Sequence, residues 1–228
     1  MIIKEEYSKN YRNHYKNIQK VYPSVFSLKI FLGNNPYFSL KDVDFKDKTI
    51  LDIGFGDGRD LILFNDLGFK TYGIEVDKDV VEHTKKKFDQ SNINISVGSN
   101  DKTGFENNYF DFVYAIASLM YFRNKNIKLS EILNHIYKIM CKDGYFIGTF
   151  TNADSHITKE STSIDSNRII LKDPFYKQRL GQIYYIHHSK EEVEKDLSKV
   201  GFRDILISSY EADWFGTKEK IYIFVARK

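Results

Sequence analysis

Thr49-Ile50-Leu51-Asp52-Ile53-Gly54-Phe55-Gly56-Asp57-Gly58-Arg59-Asp60-Leu61 is the stretch of this chain best suited to hold a ligand. A short β-branched and apolar run leads into glycines at alternate positions, Gly54, Gly56 and Gly58, and a helix-like apolar segment follows at once. Glycine has no Cβ and tolerates positive φ, so such a turn lets a ligand lie against bare backbone. At the carboxyl end of a strand in an open α/β sheet, that is where ligands bind. The dinucleotide fingerprint G-x-G-x-x-G would place a glycine at position 59, where this chain has Arg59. Far downstream, Arg168, Lys172, Arg179, Tyr184 and Tyr185 share one polar stretch. An arginine there could clamp a carboxylate or phosphate through two parallel hydrogen bonds.

The elements that must position these residues are legible in the hydrophobic pattern. Tyr7, Tyr11, Tyr15, Ile18 and Tyr22 fall on one helical face, which Pro23 ends. A second short helix is expected over Val25–Leu32, closed by Gly33. From Thr49 strands and helices alternate: strands at about 49–53, 70–74, 93–97, 110–116 and 144–150, and helices at about 58–67, 79–90 and 129–140. The alternation then stops, and 151–188 reads as a long polar insert. Loops of that length are uncommon without a function. Ser189 and Glu192 form a capping-box pattern for a helix ended by Gly201, and two strands close the chain at about 203–210 and 220–227. The link between those strands, 211–219, is too short for a parallel crossover, so the last strand should run antiparallel. The expected fold is α/β: a Rossmann-like, doubly wound, seven-stranded and mostly parallel sheet with an N-terminal helical cap. The expected division is 1–48 for the cap and 49–228 for the main domain, with the insert on its substrate side.

The G-x-G-x-G turn after an acid-bearing strand resembles motif I of the class I S-adenosylmethionine-dependent methyltransferases. Tyr72-Gly73-Ile74-Glu75-Val76-Asp77 is similar to the family's second landmark, an acid ending strand two, and Val97-Gly98-Ser99-Asn100-Asp101 followed by Phe110-Asp111-Phe112-Val113 to its third. The resemblance covers about residues 49–228 and implies S-adenosylmethionine as cofactor and S-adenosylhomocysteine as product. It implies that Gly54, Gly56 and Gly58 cradle the cofactor, that Asp52 orients the turn and the methionyl amino group, and that Glu75, next to Val76, accepts from the ribose hydroxyls. Ser99 stands where the family most often has aspartate, so Asn100 or Asp101 would meet the adenine. Backbone carbonyls from Ala115 onward would approach the amino group, and Phe55, Tyr121 and Phe122 could face the sulfonium cation. Tyr11, with Tyr7 and Tyr15, could close over the cofactor; Asp77 with Asp79 reads as a helix cap instead. A hydroxyl or ammonium acceptor needs a base, for which His187 and His188 are candidates; Tyr121, Arg168, Arg179 and Tyr184 are the candidate acceptor contacts.

The remaining features narrow the acceptor. Ala117-Ser118-Leu119-Met120-Tyr121 lacks the proline motif of base-amino methyltransferases, and Cys141 lies on a helix without the Pro-Cys pair of cytosine-C5 enzymes. A single cysteine excludes an intramolecular disulfide and a cysteine-based zinc site, and no acid cluster suggests a metal. A net charge of +3 is too small to imply nucleic acid as a partner. Hydrophobic content of 42% with no apolar run long enough for a membrane span, and an N-terminus without a signal-peptide core, point to a cytoplasmic globular protein. A small-molecule O or N acceptor is the leading expectation. A non-catalytic S-adenosylmethionine binder and a nicotinamide oxidoreductase are the rival readings.

Overall fold

A computed structural model describes residues 9–15, 21–86, 88, 92–173, 177 and 179–228. Tyr7 and Ile18 of the expected N-terminal face lie outside the described residues; residues 9–15 are helical. Five strands form the parallel frame: β1 Thr49–Ile53, β2 Lys70–Glu75, β3 Asn94–Val97, β4 Phe110–Ala115 and β6 Met140–Asn152, in spatial order β3-β2-β1-β4-β6. Beyond β6 lies β11 Thr217–Arg227, antiparallel to it, and beyond that β10 Arg203–Trp214. The last strand is therefore antiparallel, as the short link requires. That link is tighter than expected: Phe215 and Gly216, both at positive φ, join Trp214 to its partner Thr217.

The helices follow the pattern with shorter ends. They are α1 Arg59–Asp66, α2 Lys78–Lys85, α3 Leu129–Ile139 and α4 Lys190–Val200. Asp77 caps α2 by accepting from the Asp79 and Val80 amides, as its position suggested. At α4 the box is only half formed: Ser189 accepts from the Glu192 amide, but the Glu192 carboxylate takes the His188 N–H.

The central strands bury both faces, and side-chain alternation sorts their residues between two cores. Val113, Phe146, Phe150 and Phe224 pack toward α3 and α4 with Ile132, Leu133 and Leu197. Phe112, Tyr114, Ile147 and Val225 pack the other way, where Phe31 is the central residue. Its ring lies 5.0 Å from Phe64 and 5.9 Å from both Phe45 and Phe69. The segment before β1 thus completes one face of the sheet, and Phe31 is only 2% exposed.

The stretch 151–188 is not a plain loop. It carries β7 Thr162–Ser163, β8 Arg168–Ile170 and β9 Ile183–His187, with β9 paired to the end of β6 and to β5 Tyr121–Phe122. The sheet therefore has eleven strands, seven in the expected frame and four added at the substrate-side edge. The sequence hid them because each is short, two residues in β5 and β7, three in β8 and five in β9. Their core is a separate cluster of Met120, Ile169, Leu171, Tyr184 and Ile186.

Candidate functional site

The glycine turn sits where β1 ends, and three of its glycines adopt positive φ: Gly54 at 78°, Gly56 at 57° and Gly58 at 78°. Space is as restrictive as conformation. A Cβ on Gly54 would lie 2.7 Å from the Ser118 Cβ, and one on Gly56 would lie 2.6 Å from the Tyr15 ring. The close approach to Gly56 is thus made by the chain's own N-terminal helix. Arg59 is held by Asp57, with its Nε donating at 2.9 Å, so this arginine folds back on the turn.

A cleft of about 580 Å³ opens beside the turn, lined by Gly54, Glu75, Val76, Asn100, Ser118 and Tyr121. Glu75 is 2% exposed; Oε2 accepts from the Gly56 amide at 3.3 Å and Oε1 from the Val76 amide at 2.7 Å. Burial raises its pKa, while the Tyr11 hydroxyl, those amides and Arg179 oppose the rise. Tyr11 and Arg179 also line the cleft and form its roof. The Arg179 guanidinium stacks 3.9 Å from the Tyr121 ring centroid and 5.0 Å from that of Tyr11. Arg12 pins the helical segment down by donating to Asp77 at 2.9 Å and pairing with Asp79 at 3.2 Å.

Several expected contacts fall elsewhere. The Phe55 ring does not line the cleft; from the turn after β1 it packs with Leu61, Val81, Phe88 and Ile95. Asp101 is engaged by the Ser99 hydroxyl and by Arg123, which leaves Asn100 as the member of the pair that lines the cleft. Ala115 is buried within β4, and Ala117 and Ser118 take the place expected for it at the edge. Arg168 is bound to the Asp165 carboxylate and the Lys125 carbonyl, outside the cleft. Neither His187 nor His188 lines the cleft. His187 is fully buried, against Phe150 at 4.4 Å, with Nε2 at 3.2 Å from Asp196. His188 points its Nε2 to the Ser166 carbonyl at 2.8 Å. Both sit on β9 or its end, whose pairing to β6 sets one against α4 and the other against the turn before β8.

Ser118, Ala117 and Gln182 line the cleft without having been singled out by residue type. Ser118 Oγ is buried with no hydrogen-bond partner among the described residues. Buried hydroxyls are normally satisfied, so an orphan aimed at a cleft marks a place for a ligand atom. Ala117 holds a φ of 53°, and its amide donates to the Thr149 hydroxyl at 2.8 Å. Left-handed alanine is strained and tends to persist at functional sites. A weak sign of this was present in the sequence, as the turn directly after a buried strand.

Asp52 lies beneath the turn, 4% exposed. Burial first, then Asp60, Glu75 and Asp57, hold its pKa well above the usual carboxylate range. In the window from that ordinary range up to the raised value, the folded state binds more protons than the unfolded one, so stability falls as pH rises. Asp52→Asn removes this loss. Its melting temperature is expected to exceed that of the parent by a few degrees near pH 8, with the gap shrinking toward pH 4; thermal melts across pH check it, and a gap that widens toward acid would contradict it.

Residues 51–148 match the family model described as a methyltransferase domain. Residues 51–148 thus carry a methyltransferase domain. S-adenosylmethionine is the cofactor of that family, and the residues present fit it. Gly54 of the turn, a buried carboxylate ending β2 and an orphaned hydroxyl just after β4 converge on one cleft.

The solved structures agree on the fold. An S-adenosylmethionine-dependent methyltransferase from Methanosarcina mazei is 18% identical with a TM-score of 0.64, over 80% of this chain and 93% of its own. A possible histamine N-methyltransferase from Thermotoga maritima is 15% identical with a TM-score of 0.62, over 99% of this chain and 98% of its own. The 1,6-didemethyltoxoflavin-N1-methyltransferase of Burkholderia thailandensis, solved with 1,6-didemethyltoxoflavin and S-adenosylhomocysteine, is 16% identical with a TM-score of 0.57, over 80% of this chain and 72% of its own. No curated protein sequence matches the chain. Among the described residues of this methyltransferase, no helix is long and apolar enough to cross a membrane.

Proposed function

We propose that the chain methylates an oxygen or nitrogen of a small-molecule acceptor by in-line displacement. The observation that carries this reading is a second cleft, of about 990 Å³, that shares Ala117, Tyr121 and Arg179 with the first. A molecule in the second cleft meets the first at these three residues, as an acceptor must meet a methyl donor.

Bound S-adenosylmethionine supplies an electrophilic methyl on sulfur. Transfer of that methyl to an acceptor lone pair would leave the carbon–sulfur electron pair on S-adenosylhomocysteine and release the acceptor's proton through the second cleft. Glu75 would take the ribose hydroxyls. Asn100 donates through Nδ2 to the Ser118 and Tyr121 carbonyls at 3.5 and 3.3 Å, so Oδ1 is the atom placed to accept from an adenine amino group. Tyr11, Tyr121 and Arg179 roof the site and exclude water. Neither cleft is lined by a histidine, so alignment and desolvation are the contributions expected of the protein.

The test is turnover with S-adenosylmethionine and a panel of amines, phenols and carboxylates, read as S-adenosylhomocysteine formed. Acceptor-dependent product supports the proposal. Tight S-adenosylhomocysteine binding with no product across the panel would favour a non-catalytic binder, and binding of NAD alone would overturn the cofactor reading.

A further inference from the structure

The second cleft has a chemistry of its own. Phe26, Tyr184 and Trp214 give it aromatic surface beside the hydroxyls of Thr149, Thr151 and Ser155, and its charged lining residues are Arg179 and Glu219. Arg179 stands at the end shared with the cofactor cleft, stacked on two tyrosines. Glu219 and Trp214 belong to the unshared end.

The β10–β11 hairpin puts these two side by side. Trp214 pairs with Thr217 and Ala212 with Glu219, so Glu219 is the diagonal cross-strand neighbour of Trp214 on the same face. Long and aromatic side chains interact across that diagonal. The lysines on either side of Glu219 alternate to the opposite face, where Lys220 reaches Asp154 at 3.4 Å and Glu211 at 3.9 Å. Among the described residues no cation pairs with Glu219, which is exposed at the cleft mouth beside the 62% exposed Trp214. A carboxylate beside an indole face, with no cation paired to it, is a setting that a cation improves twice: by pairing with the acid and by facing the ring.

Resting on the methyl-transfer reading of this site, we infer that the acceptor is a cationic amine whose ammonium group is held between the Glu219 carboxylate and the Trp214 indole. The ammonium is then the handle. The atom to be methylated lies at the other end of the acceptor, beside Ala117 and Tyr121. Such a site selects amines over neutral alcohols and rejects carboxylates of the same shape.

Trp214 is the only tryptophan of the chain, so its fluorescence reports this cleft directly and without turnover. The probes are 2-phenylethylamine, 2-phenylethanol and 3-phenylpropanoate, titrated with and without saturating S-adenosylhomocysteine. The expected result is saturable quenching by the amine, with the alcohol and the acid at least about tenfold weaker. Glu219→Gln should weaken the amine about tenfold and leave the alcohol unchanged. Equal affinities for amine and alcohol, or no saturable change with any of the three, would overturn the inference, as would a Glu219→Gln protein that keeps the amine preference. Calorimetry with S-adenosylhomocysteine separates the two readings. Absent cofactor binding strikes the methyl-transfer reading, whereas intact binding without amine preference strikes only the role of Glu219.

Discussion

Glu75→Ala binds S-adenosylhomocysteine about 100-fold more weakly than the parent. The carboxylate is placed to accept from two ribose hydroxyls, and charge-assisted hydrogen bonds contribute about 1.5–3 kcal/mol each, so one to two decades or more are at stake. Nothing nearby can replace it. Asp101 is engaged by Arg123 and Ser99, Asp77 is committed to the cap of α2 and to Arg12, and Asp52 lies beneath the turn with its pKa held high. Calorimetric titration measures the loss, and the melting curve of the variant separates it from a folding defect. Folding should be only mildly affected, because two opposing changes accompany the substitution. The Gly56 and Val76 amides and the Tyr11 hydroxyl lose an acceptor, while the molecule is relieved of a carboxylate whose burial raises its pKa. Undiminished affinity in a folded Glu75→Ala protein would remove Glu75 from the cofactor site.

The second large effect falls on stability. Asp60, in the first turn of α1 and 7% exposed, ties the N-terminal segment to the sheet. It accepts from the Ser24 amide at 2.8 Å, the Ser27 hydroxyl at 2.6 Å and the Tyr114 hydroxyl at 3.3 Å. Asp60→Ala takes this acceptor from all three donors in a dry setting; the Ser24 amide is stranded outright, while the Ser27 hydroxyl keeps the Ser24 carbonyl and the Tyr114 hydroxyl keeps Ser24 Oγ, and a buried donor so stranded costs about 1–3 kcal/mol. A loss of about 3 kcal/mol follows, partly offset because Asp60 also crowds Asp52. For a chain of this size that lowers the melting temperature by about 6–12 °C. The control is Arg203→Ala, which breaks exposed ion pairs to Asp143 and Asp204 and should cost about 0.5 kcal/mol or less. Equal melting shifts in the two variants would show that Asp60 is no anchor. The same loss should loosen the segment carrying Phe31, so limited proteolysis before β1 is expected to quicken in Asp60→Ala alone.

The contrast between these two carboxylates explains why charge at the glycine turn is not one quantity. Asp52, Asp57, Asp60 and Glu75 are all buried within a short distance along the chain. Asp57 is neutralised by Arg59 and Asp60 by three neutral donors, while Glu75 faces the cleft. Each of these neighbours adds to the rise of the Asp52 pKa that burial begins. A cationic methionyl amino group brought near this cluster would enter a field that favours it.

The frame of the molecule and its cofactor cleft were determined by the sequence alone, because their signals are local. A β-branched run, alternate glycines and a following amphipathic helix specify a strand-turn-helix without reference to anything distant. The family resemblance carried by that turn pointed to Gly54, Glu75 and Val76, which line one cleft, and left Asn100 and Asp101 open, of which Asn100 lines it; the brevity of 211–219 sufficed for the antiparallel closing strand. What only the tertiary structure decided depends on long-range pairing. His187 and His188 have the chemistry of a base in any sequence; the pairing of β9 with β6 is what seals one against Phe150 and turns the other to the Ser166 carbonyl. Arg168 and Arg179 look alike in the chain, yet one is tied to Asp165 and the other stacks between Tyr11 and Tyr121. The Ser118 hydroxyl and the Glu219 carboxylate carried no motif at all. Their significance comes from the clefts they line, and a cleft exists only where segments far apart in sequence meet.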